Sequence, residues 1–217
     1  MSSNTASGEG GHKMPVSFNP WCRDAWGGAY TIEQYRNKIE SFHGYPAPGL
    51  FIGGKMVDMA LSRLPEGRLF DAISETGNCL PDAIQVLTPC TIGNGWLRVF
   101  TFGKFALSLY DKQTGRGVRV YLDPEKLSGW KEIDSWFFRK IPKAQQDRDA
   151  LESEIFRAGD QILEAVAVQV HPAGLAKAGV GERNICPRCG ESYPLRHGAL
   201  CRACAGASPY IQNERQE

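Results

Sequence analysis

The segment PCTIGNGWLRVFTFGKFALSLYDKQTGRGVRVYLD, residues 89–123, decides the fold. Apolar and polar residues alternate along it in stretches of about six, which is the pattern of half-buried β-strands. Turn sequences interrupt the alternation at Gly93, Gly95, Gly103 and the QTGRG of residues 113–117. The segment therefore predicts three antiparallel strands joined by tight turns.

Amphipathic helices precede this segment. Thr31 suits a helix N-cap with Gln34 three residues later, and the apolar positions that follow share one helical face as far as Gly44. Residues 50–64 again place apolar side chains at helical spacing, so a second helix follows a Pro-containing loop. The pair Gly53–Gly54 in that helix favours close packing against a neighbouring element over an anion-binding loop.

The remaining elements complete an α+β pattern. Residues 69–74, LFDAIS, predict a short strand, and residues 81–87 predict a helix whose first turn contains a proline. Residues 124–163 have a helical pattern and residues 165–172 predict one more strand. Together these elements predict an α+β fold in which an antiparallel sheet of four or five strands is flanked by helices on one side.

A second pattern lies near the C-terminus, where four of the seven cysteines are spaced C-x2-C-x11-C-x2-C. Two Cys-x-x-Cys pairs at this separation are typical of a tetrahedral zinc site with four thiolate ligands, with iron as the minor alternative. Gly190, which follows the first pair, lets the backbone turn so that amides point at the sulfurs. The sequence therefore predicts a structural zinc in a zinc-ribbon-like or treble-clef-like module, held by Cys186, Cys189, Cys201 and Cys204.

Composition predicts four segments. The polar, Ser- and Gly-rich start suggests a flexible segment over residues 1–29. The α+β core is expected over 30–172, a linker of small residues over 173–184, and the four-cysteine zinc-binding module over 185–217. A chain of 217 residues with 42% hydrophobic content is long enough for one core and a small module.

Charge and hydropathy limit the classes of partner. With 25 basic and 24 acidic residues, the chain has no net field that favours nucleic acid or a membrane surface. No apolar run approaches the roughly 18 residues of a transmembrane helix, and no secretory signal is evident, so we expect a cytoplasmic protein without membrane contact. Reducing conditions there favour metal binding by the cysteines over disulfides. Binding of nucleic acid stays a minor alternative because the zinc module is rich in arginine, at Arg183, Arg188, Arg196 and Arg202.

Two loops shaped by Gly and Pro carry the other reactive groups. FHGYPAPG, residues 42–49, contains His43, and ETGNCLPDAIQVLTPCT, residues 75–91, contains Cys79 and Cys90. Because Cys79 directly precedes a predicted helix, the helix dipole is expected to lower its thiol pKa. Three interpretations stay open: a metal site of His43, Cys79 and Cys90, buried cysteines with a structural histidine, or a reactive thiol with histidine as base.

These loops, with the strands that follow, resemble the family of the FmdE component of formylmethanofuran dehydrogenase (FmdE-like) over roughly residues 30–170. In the first loop the family pattern resembles FHGHxCPG, and this chain keeps His43 but has Tyr45 and Ala47 in place of the second His and the Cys. In the second loop Pro89 replaces a Gly. The other positions of that loop match the family pattern: Glu75, Cys79, Asp82, Gln85, Cys90 and Thr91.

The resemblance implies a core that pairs as a homodimer, an appended zinc-finger domain, and a link to the molybdenum or tungsten enzyme that reduces carbon dioxide onto methanofuran. This chain has no motif for the pterin cofactor and too few cysteines for several iron–sulfur clusters, so it cannot perform that reaction alone.

We therefore predict a metal-binding accessory protein with a partner oxidoreductase and a core pocket for a second metal ion or an anionic ligand. The candidate pocket residues are His43, Tyr45, Glu75, Cys79, Asp82 and Cys90. The competing predictions are a small thiol-dependent enzyme that uses Cys79 with His43, and a zinc-finger regulator that binds nucleic acid.

Overall fold

The computed structural model describes residues 20–64, 69–171, 179 and 181–210. Residues 1–19, which begin the predicted flexible segment, lie outside this part of the chain. The chain divides into two compact units, 1–171 and 172–217. No helix in the described ranges is both long enough and apolar enough to cross a membrane.

The first unit begins with a short hairpin. Strands β1 (Cys22–Arg23) and β2 (Ala29–Tyr30) pair antiparallel, and the Trp21 and Cys22 side chains are buried in the main core. The prediction of a flexible segment over residues 1–29 is therefore wrong for residues 20–29, which form this hairpin. The Ser- and Gly-rich composition on which the prediction rests belongs to the residues before Pro20, whereas Trp21 and Cys22 reach the core.

Helix α1 (Ile32–His43) has the ends that its sequence predicts. The Thr31 hydroxyl oxygen accepts the Gln34 N–H at 3.2 Å, and the Gln34 side-chain oxygen accepts the Thr31 N–H at 2.9 Å. This reciprocal pair is a capping box and satisfies two backbone donors. Gly44 ends the helix with φ of 90°, a left-handed conformation that glycine adopts at little cost.

A five-stranded sheet forms the centre of the first unit. Its strands stand in the order β4 (Leu97–Val99), β3 (Phe70–Ser74), β5 (Ala106–Asp111), β6 (Arg116–Leu122) and β7 (Leu163–Gln169). The pairs β3–β5, β5–β6 and β6–β7 are antiparallel, as predicted. Strand β4 is the exception, because it pairs parallel to β3. The chain from β3 to β4 passes through a helix, and such crossovers return the next strand in the same direction.

Two helices, α2 (Pro48–Leu61) and α3 (Leu80–Leu87), pack closely near one face of this sheet. A Cβ atom added at Gly53 would lie 2.7 Å from the Ala83 Cβ. At Gly54 it would lie 2.6 Å from the Tyr35 ring. The close packing predicted for this glycine pair is confirmed, because no side chain fits at either position.

Several short helices replace the helical pattern expected over 124–163. Helices α4 (Lys131–Phe137) and α5 (Arg148–Ala158) are separated by a single 3-10 turn and flanked by two others. Pro142 and the preceding residues break the helical path between α4 and α5. This break forms a wall of the cavity described below.

The second unit is built around two short strands. Strand β8 (Arg183–Ile185) pairs antiparallel with β9 (Ser192–Pro194), and a helical turn at Ala203–Ala207 follows. The Cys186, Tyr193 and Cys204 side chains form its small buried cluster.

The contact at Gly53 gives a test of the helix packing. We expect Gly53→Val to lower the free energy of unfolding by about 1–3 kcal/mol, because the new methyl groups overlap Ala83 in a filled core. Gly129→Val is the matched control, since a Cβ at Gly129 meets nothing within 4 Å. Urea denaturation of both variants measures the change, and equal stability of the two would contradict the packing argument.

Candidate metal centre and core pocket

The second unit gathers the four cysteines of the sequence pattern around one point. The Sγ atoms of Cys186, Cys189, Cys201 and Cys204 all lie within 4.8 Å of one another. The Cys189 and Cys201 sulfurs are 3.9 Å apart. Zinc–sulfur bonds of ~2.3 Å in a tetrahedron separate the sulfurs by about 3.8 Å. Donor type and spacing therefore fit a structural zinc with four thiolate ligands.

Backbone groups surround the cysteine cluster. N–H groups, that of Cys201 first, lower the pKa of the Cys186 thiol to about 6. The Cys204 N–H donates to the Cys201 sulfur at 3.4 Å. Gly190 turns the chain after the first pair with φ of 76°, and its N–H donates to the Cys186 carbonyl at 2.8 Å. Contacts of this kind orient metal ligands and favour the thiolate.

The arginines of this unit make internal contacts. Arg183 Nε donates to Ser192 Oγ at 3.0 Å, and Arg188 Nη1 donates to the Cys204 carbonyl at 3.0 Å. These bonds hold two arginines against the strands and the metal ligands. The alternative of a nucleic-acid-binding regulator gains no support from them.

A cavity of about 680 Å³ lies in the first unit, and we call it the core pocket. One wall is formed by residues 45–49, the loop before α2 and the first helical turn. Cys79 lies on its surface, and side chains from residues 136–152 form the other wall. Cavities of this size commonly hold small molecules.

Three of the predicted pocket residues meet beside this cavity. His43 Nδ1 lies 2.6 Å from Asp82 Oδ2, and the His43 and Tyr45 ring centroids are 4.9 Å apart. Gln85 Nε2 donates to the other carboxylate oxygen at 3.3 Å. The histidine thus links the end of α1 to the first turn of α3. Of the three residues, Tyr45 is the one that lines the pocket.

Cys79 caps α3 without a side-chain hydrogen bond and has φ of 54°, unusual for a residue other than glycine. Burial raises the pKa of its thiol, with a further increase from Asp82 and an opposing effect of Lys143. The pKa of this thiol is therefore raised, not lowered as we expected from its place before the helix. Within the described residues, no hydrogen bond joins this thiol to His43.

Cys90 and Glu75 lie in other surroundings. The Cys90 thiol is buried and donates to the Phe70 carbonyl at 3.6 Å. The Glu75 carboxylate accepts two hydrogen bonds from Arg119, Nε to Oε1 at 2.6 Å and Nη2 to Oε2 at 2.8 Å. Both residues therefore have structural contacts at the sheet.

The core does not fit a second metal site. In the described part of the chain, the four-cysteine cluster is the one group in which three or more His, Cys, Asp or Glu ligand atoms lie within 4.8 Å of one another. The predicted convergence of His43, Cys79 and Cys90 is not found. At Ala47, which lines the core pocket, the side chain is a methyl group and donates nothing to a metal.

Sequence reasoning missed the second wall of the core pocket. Trp136, Arg139, Lys143 and Arg148 all line the cavity, although none of them is among the candidates that the sequence indicates. The available signal is the interruption of the helical pattern by the basic, Pro-containing stretch RKIPK at residues 139–143. We expected a helical pattern throughout residues 124–163, and this expectation left no place for a break at that stretch.

Comparison with known proteins agrees with this architecture. A model of the family described as "FmdE, Molybdenum formylmethanofuran dehydrogenase operon" matches residues 42–170, more than half of the chain. The chain belongs to the FmdE family. A second model, the FmdE treble clef zinc finger, matches residues 177–211. The predicted family resemblance and the α+β fold with a treble-clef-type module are therefore confirmed.

Two relatives of this FmdE-family chain are informative. The first is the crystal structure of a tungsten formylmethanofuran dehydrogenase FmdE-like protein from Syntrophus aciditrophicus. The sequence of that protein is 52% identical to this chain, and the two structures superpose with a TM-score of 0.78. The match covers 88% of this chain and 99% of that one. A "Probable S-adenosyl-L-methionine-binding protein" of Archaeoglobus fulgidus is 30% identical over 193 residues, 78% of this chain. This chain spans 52% of the length of that relative.

The metal centre gives a prediction about zinc content. Purified protein is expected to contain one zinc per chain, and the double variant Cys186→Ser/Cys189→Ser should contain none, because two thiolate ligands are gone. Zinc supplies on the order of 10 kcal/mol to the folding of such modules, so the second unit should unfold as well. Elemental analysis and circular dichroism measure both effects.

The control for zinc content is Cys79→Ser, which changes a cysteine of the first unit and should leave the zinc in place. Retention of zinc by the double variant, or its loss from Cys79→Ser, would contradict the assignment of the metal to the four-cysteine cluster.

The ion pair of Glu75 gives a prediction about pH. Hydrogen bonds from Arg119 lower the Glu75 pKa, so the charged pair stabilises the fold above the ordinary carboxyl pKa of 4.5 and is lost as the pH falls through the lowered value. We expect Glu75→Gln to cost about 1.5–3 kcal/mol at pH 7 and progressively less in acid. Unfolding free energies from pH 7 to pH 3 test this.

The matched control is Glu164→Gln, which removes a carboxylate that is 2.6 Å from Lys126 Nζ but whose side chain on β7 is 40% exposed, against 11% for Glu75. Its effect at pH 7 should be much smaller, since water screens exposed pairs. A cost for Glu75→Gln that does not change with pH would contradict the role given to the charged carboxylate.

Proposed function

We propose that this chain is a metal-binding accessory protein of a molybdenum- or tungsten-dependent formylmethanofuran dehydrogenase or of related one-carbon metabolism. In this proposal the four-cysteine unit has a structural role, and the core pocket binds a small molecule. The protein works as a homodimer in the cytoplasm, where its thiols stay reduced.

The observation that carries the proposal is a ligand-sized cavity without a catalytic pair. Cys79 lies on the cavity surface, but burial raises its thiol pKa, so the thiol is protonated at neutral pH. His43 is oriented by Asp82 and makes no hydrogen bond to that thiol among the described residues. A nucleophile and base in contact would be needed for thiol catalysis. The arrangement therefore favours binding over turnover.

The names of the relatives support the link to the dehydrogenase. The family description refers to the operon of the molybdenum enzyme, and the Syntrophus structure is described as FmdE-like and named for the tungsten enzyme. The Archaeoglobus relative is named for S-adenosyl-L-methionine, but about half of its length has no counterpart in this chain. Its name alone does not extend the proposal to that ligand.

An exposed aromatic pair supports the homodimer. The Phe100 and Phe102 rings stack with centroids 5.5 Å apart, and both side chains are exposed in the single chain. Exposed apolar patches on soluble proteins often mark interfaces.

Affinity purification from the native host tests the accessory role. The tagged full chain is expected to retain a molybdenum- or tungsten-containing oxidoreductase, which is measured as molybdenum or tungsten that co-elutes with the zinc of this chain. Tagging the oxidoreductase should recover this chain in return, and light scattering should give twice the 23.9 kDa chain mass for the free protein. Absence of molybdenum and tungsten from the first eluate, together with absence of this chain from the reverse one, would refute the association.

A further inference from the structure

The charged side chains of the core pocket are unbalanced. Arg139, Lys143 and Arg148 line it, and Glu152 is the one acidic side chain in the described lining. Glu152 is already compensated, because its carboxylate accepts hydrogen bonds from Arg36 at 2.6 and 3.3 Å. The cavity therefore faces three cationic groups and no uncompensated carboxylate.

These cations have no anionic partner in the part of the chain that the structure describes. Within the described residues, none of the side chains of Arg139, Lys143 and Arg148 forms an ion pair. The contact found for Lys143 is with the Tyr45 ring, whose centroid lies 5.9 Å from Nζ. Other cations of the same unit do have partners, as Arg119 has in Glu75. The three groups at the pocket are thus available to a ligand.

Part of the core pocket lining is apolar. Trp136, Leu151, Ala47 and Pro48 contribute to its surface, together with the uncharged Cys79 thiol. The Trp136 ring is held by edge contact with the Phe105 ring, at a centroid distance of 6.1 Å. A fixed aromatic side chain offers contact area at little entropic cost.

Backbone strain is concentrated at the same place. In the described ranges, Cys79 and Arg139 are the two residues other than glycine with positive φ, 54° and 53°, and both line the core pocket. Such conformations cost free energy and tend to occur at functional sites, where the surrounding packing maintains them.

From these features we infer that the core pocket binds an organic anion with an apolar body and a carboxylate or phosphate group. The body would contact Trp136 and Leu151, and the anionic group would pair with Arg139, Lys143 or Arg148. This inference rests on the proposed binding role of the pocket and specifies its ligand class. A metal cation is disfavoured by the surplus of positive charge, and a bare inorganic anion would leave the apolar surface without contacts.

A set of three probes tests the inference on the full chain. 4-Phenylbutyrate carries both an apolar body and a carboxylate, 4-phenylbutan-1-ol carries the body alone, and inorganic phosphate carries the charge alone. Binding is measured by ligand-observed NMR and by the tryptophan fluorescence that Trp136 contributes. We expect phenylbutyrate to bind at least tenfold more tightly than the alcohol or phosphate.

Charge reversal locates the site. Lys143→Glu should weaken phenylbutyrate binding at least tenfold and leave the weak binding of the alcohol unchanged. Lys131→Glu makes the same change of charge on an exposed lysine outside the pocket lining, and its effect should stay within twofold. Circular dichroism confirms that both variants are folded.

Three results would overturn the inference: equal affinity for the acid and the alcohol, phosphate binding as tight as phenylbutyrate, or equal effects of the two lysine variants. Absence of binding by all three probes would also overturn it. None of these results bears on co-purification with a molybdenum or tungsten enzyme, so the ligand class and the accessory role can fail separately.

Discussion

The contact of α2 with α3 through glycine is the constraint on which the rest of the first unit depends. Gly49 and Gly53 are four residues apart and therefore lie on one face of α2, turned toward α3. At Gly49 an added Cβ would be 2.9 Å from the Cys79 sulfur, and at Gly53 it would meet Ala83. Any larger side chain would move α3 and with it the cap residue that borders the core pocket. Because α2 lies so close to α3 at Gly49, its atoms pack against Cys79 and help to maintain the positive φ of that residue.

The burial of most of α2 explains several polar contacts of the core. Nine of its fourteen residues are buried against the sheet and the neighbouring helices, while Lys55 and Asp58 lie on a partly exposed side. The Tyr35 hydroxyl is buried and donates to the Leu50 carbonyl at 3.0 Å, which satisfies a group that would otherwise be costly to bury. Burial also raises the pKa of this phenol well above its ordinary value. Trp21 Nε1 donates to the Phe51 carbonyl at 3.3 Å, so the N-terminal hairpin is tied to the same helix.

The sequence could predict those features of the fold that are determined by residues close together in the chain. The capping box at Thr31, the β5–β6 hairpin and the four-cysteine spacing depend on residues close in the chain, and the structure contains all three. The parallel pairing of β4, the position of Trp21 and the second wall of the core pocket depend on tertiary packing, which local periodicity does not contain. Cys90 illustrates the difference. It is eleven residues from Cys79, but α3 separates them, and its thiol points to the Phe70 carbonyl of β3.

The two units place their cysteines in different surroundings. In the first unit, burial raises the pKa of the Cys22 thiol to about 12 and that of Cys79 above its ordinary value. In the second unit four thiols lie together: backbone N–H groups lower the pKa of Cys186 to about 6, whereas the neighbouring Cys201 sulfur raises that of Cys204 to about 12. A metal ion is held best where several thiolates converge, and in the described residues only the second unit brings four sulfurs within 4.8 Å of one another. The core pocket thus retains an uncharged thiol beside three cationic side chains, a surface that suits an organic anion better than a metal ion. In this respect the metal-binding and ligand-binding properties of the chain are separated by the local environments of its cysteines.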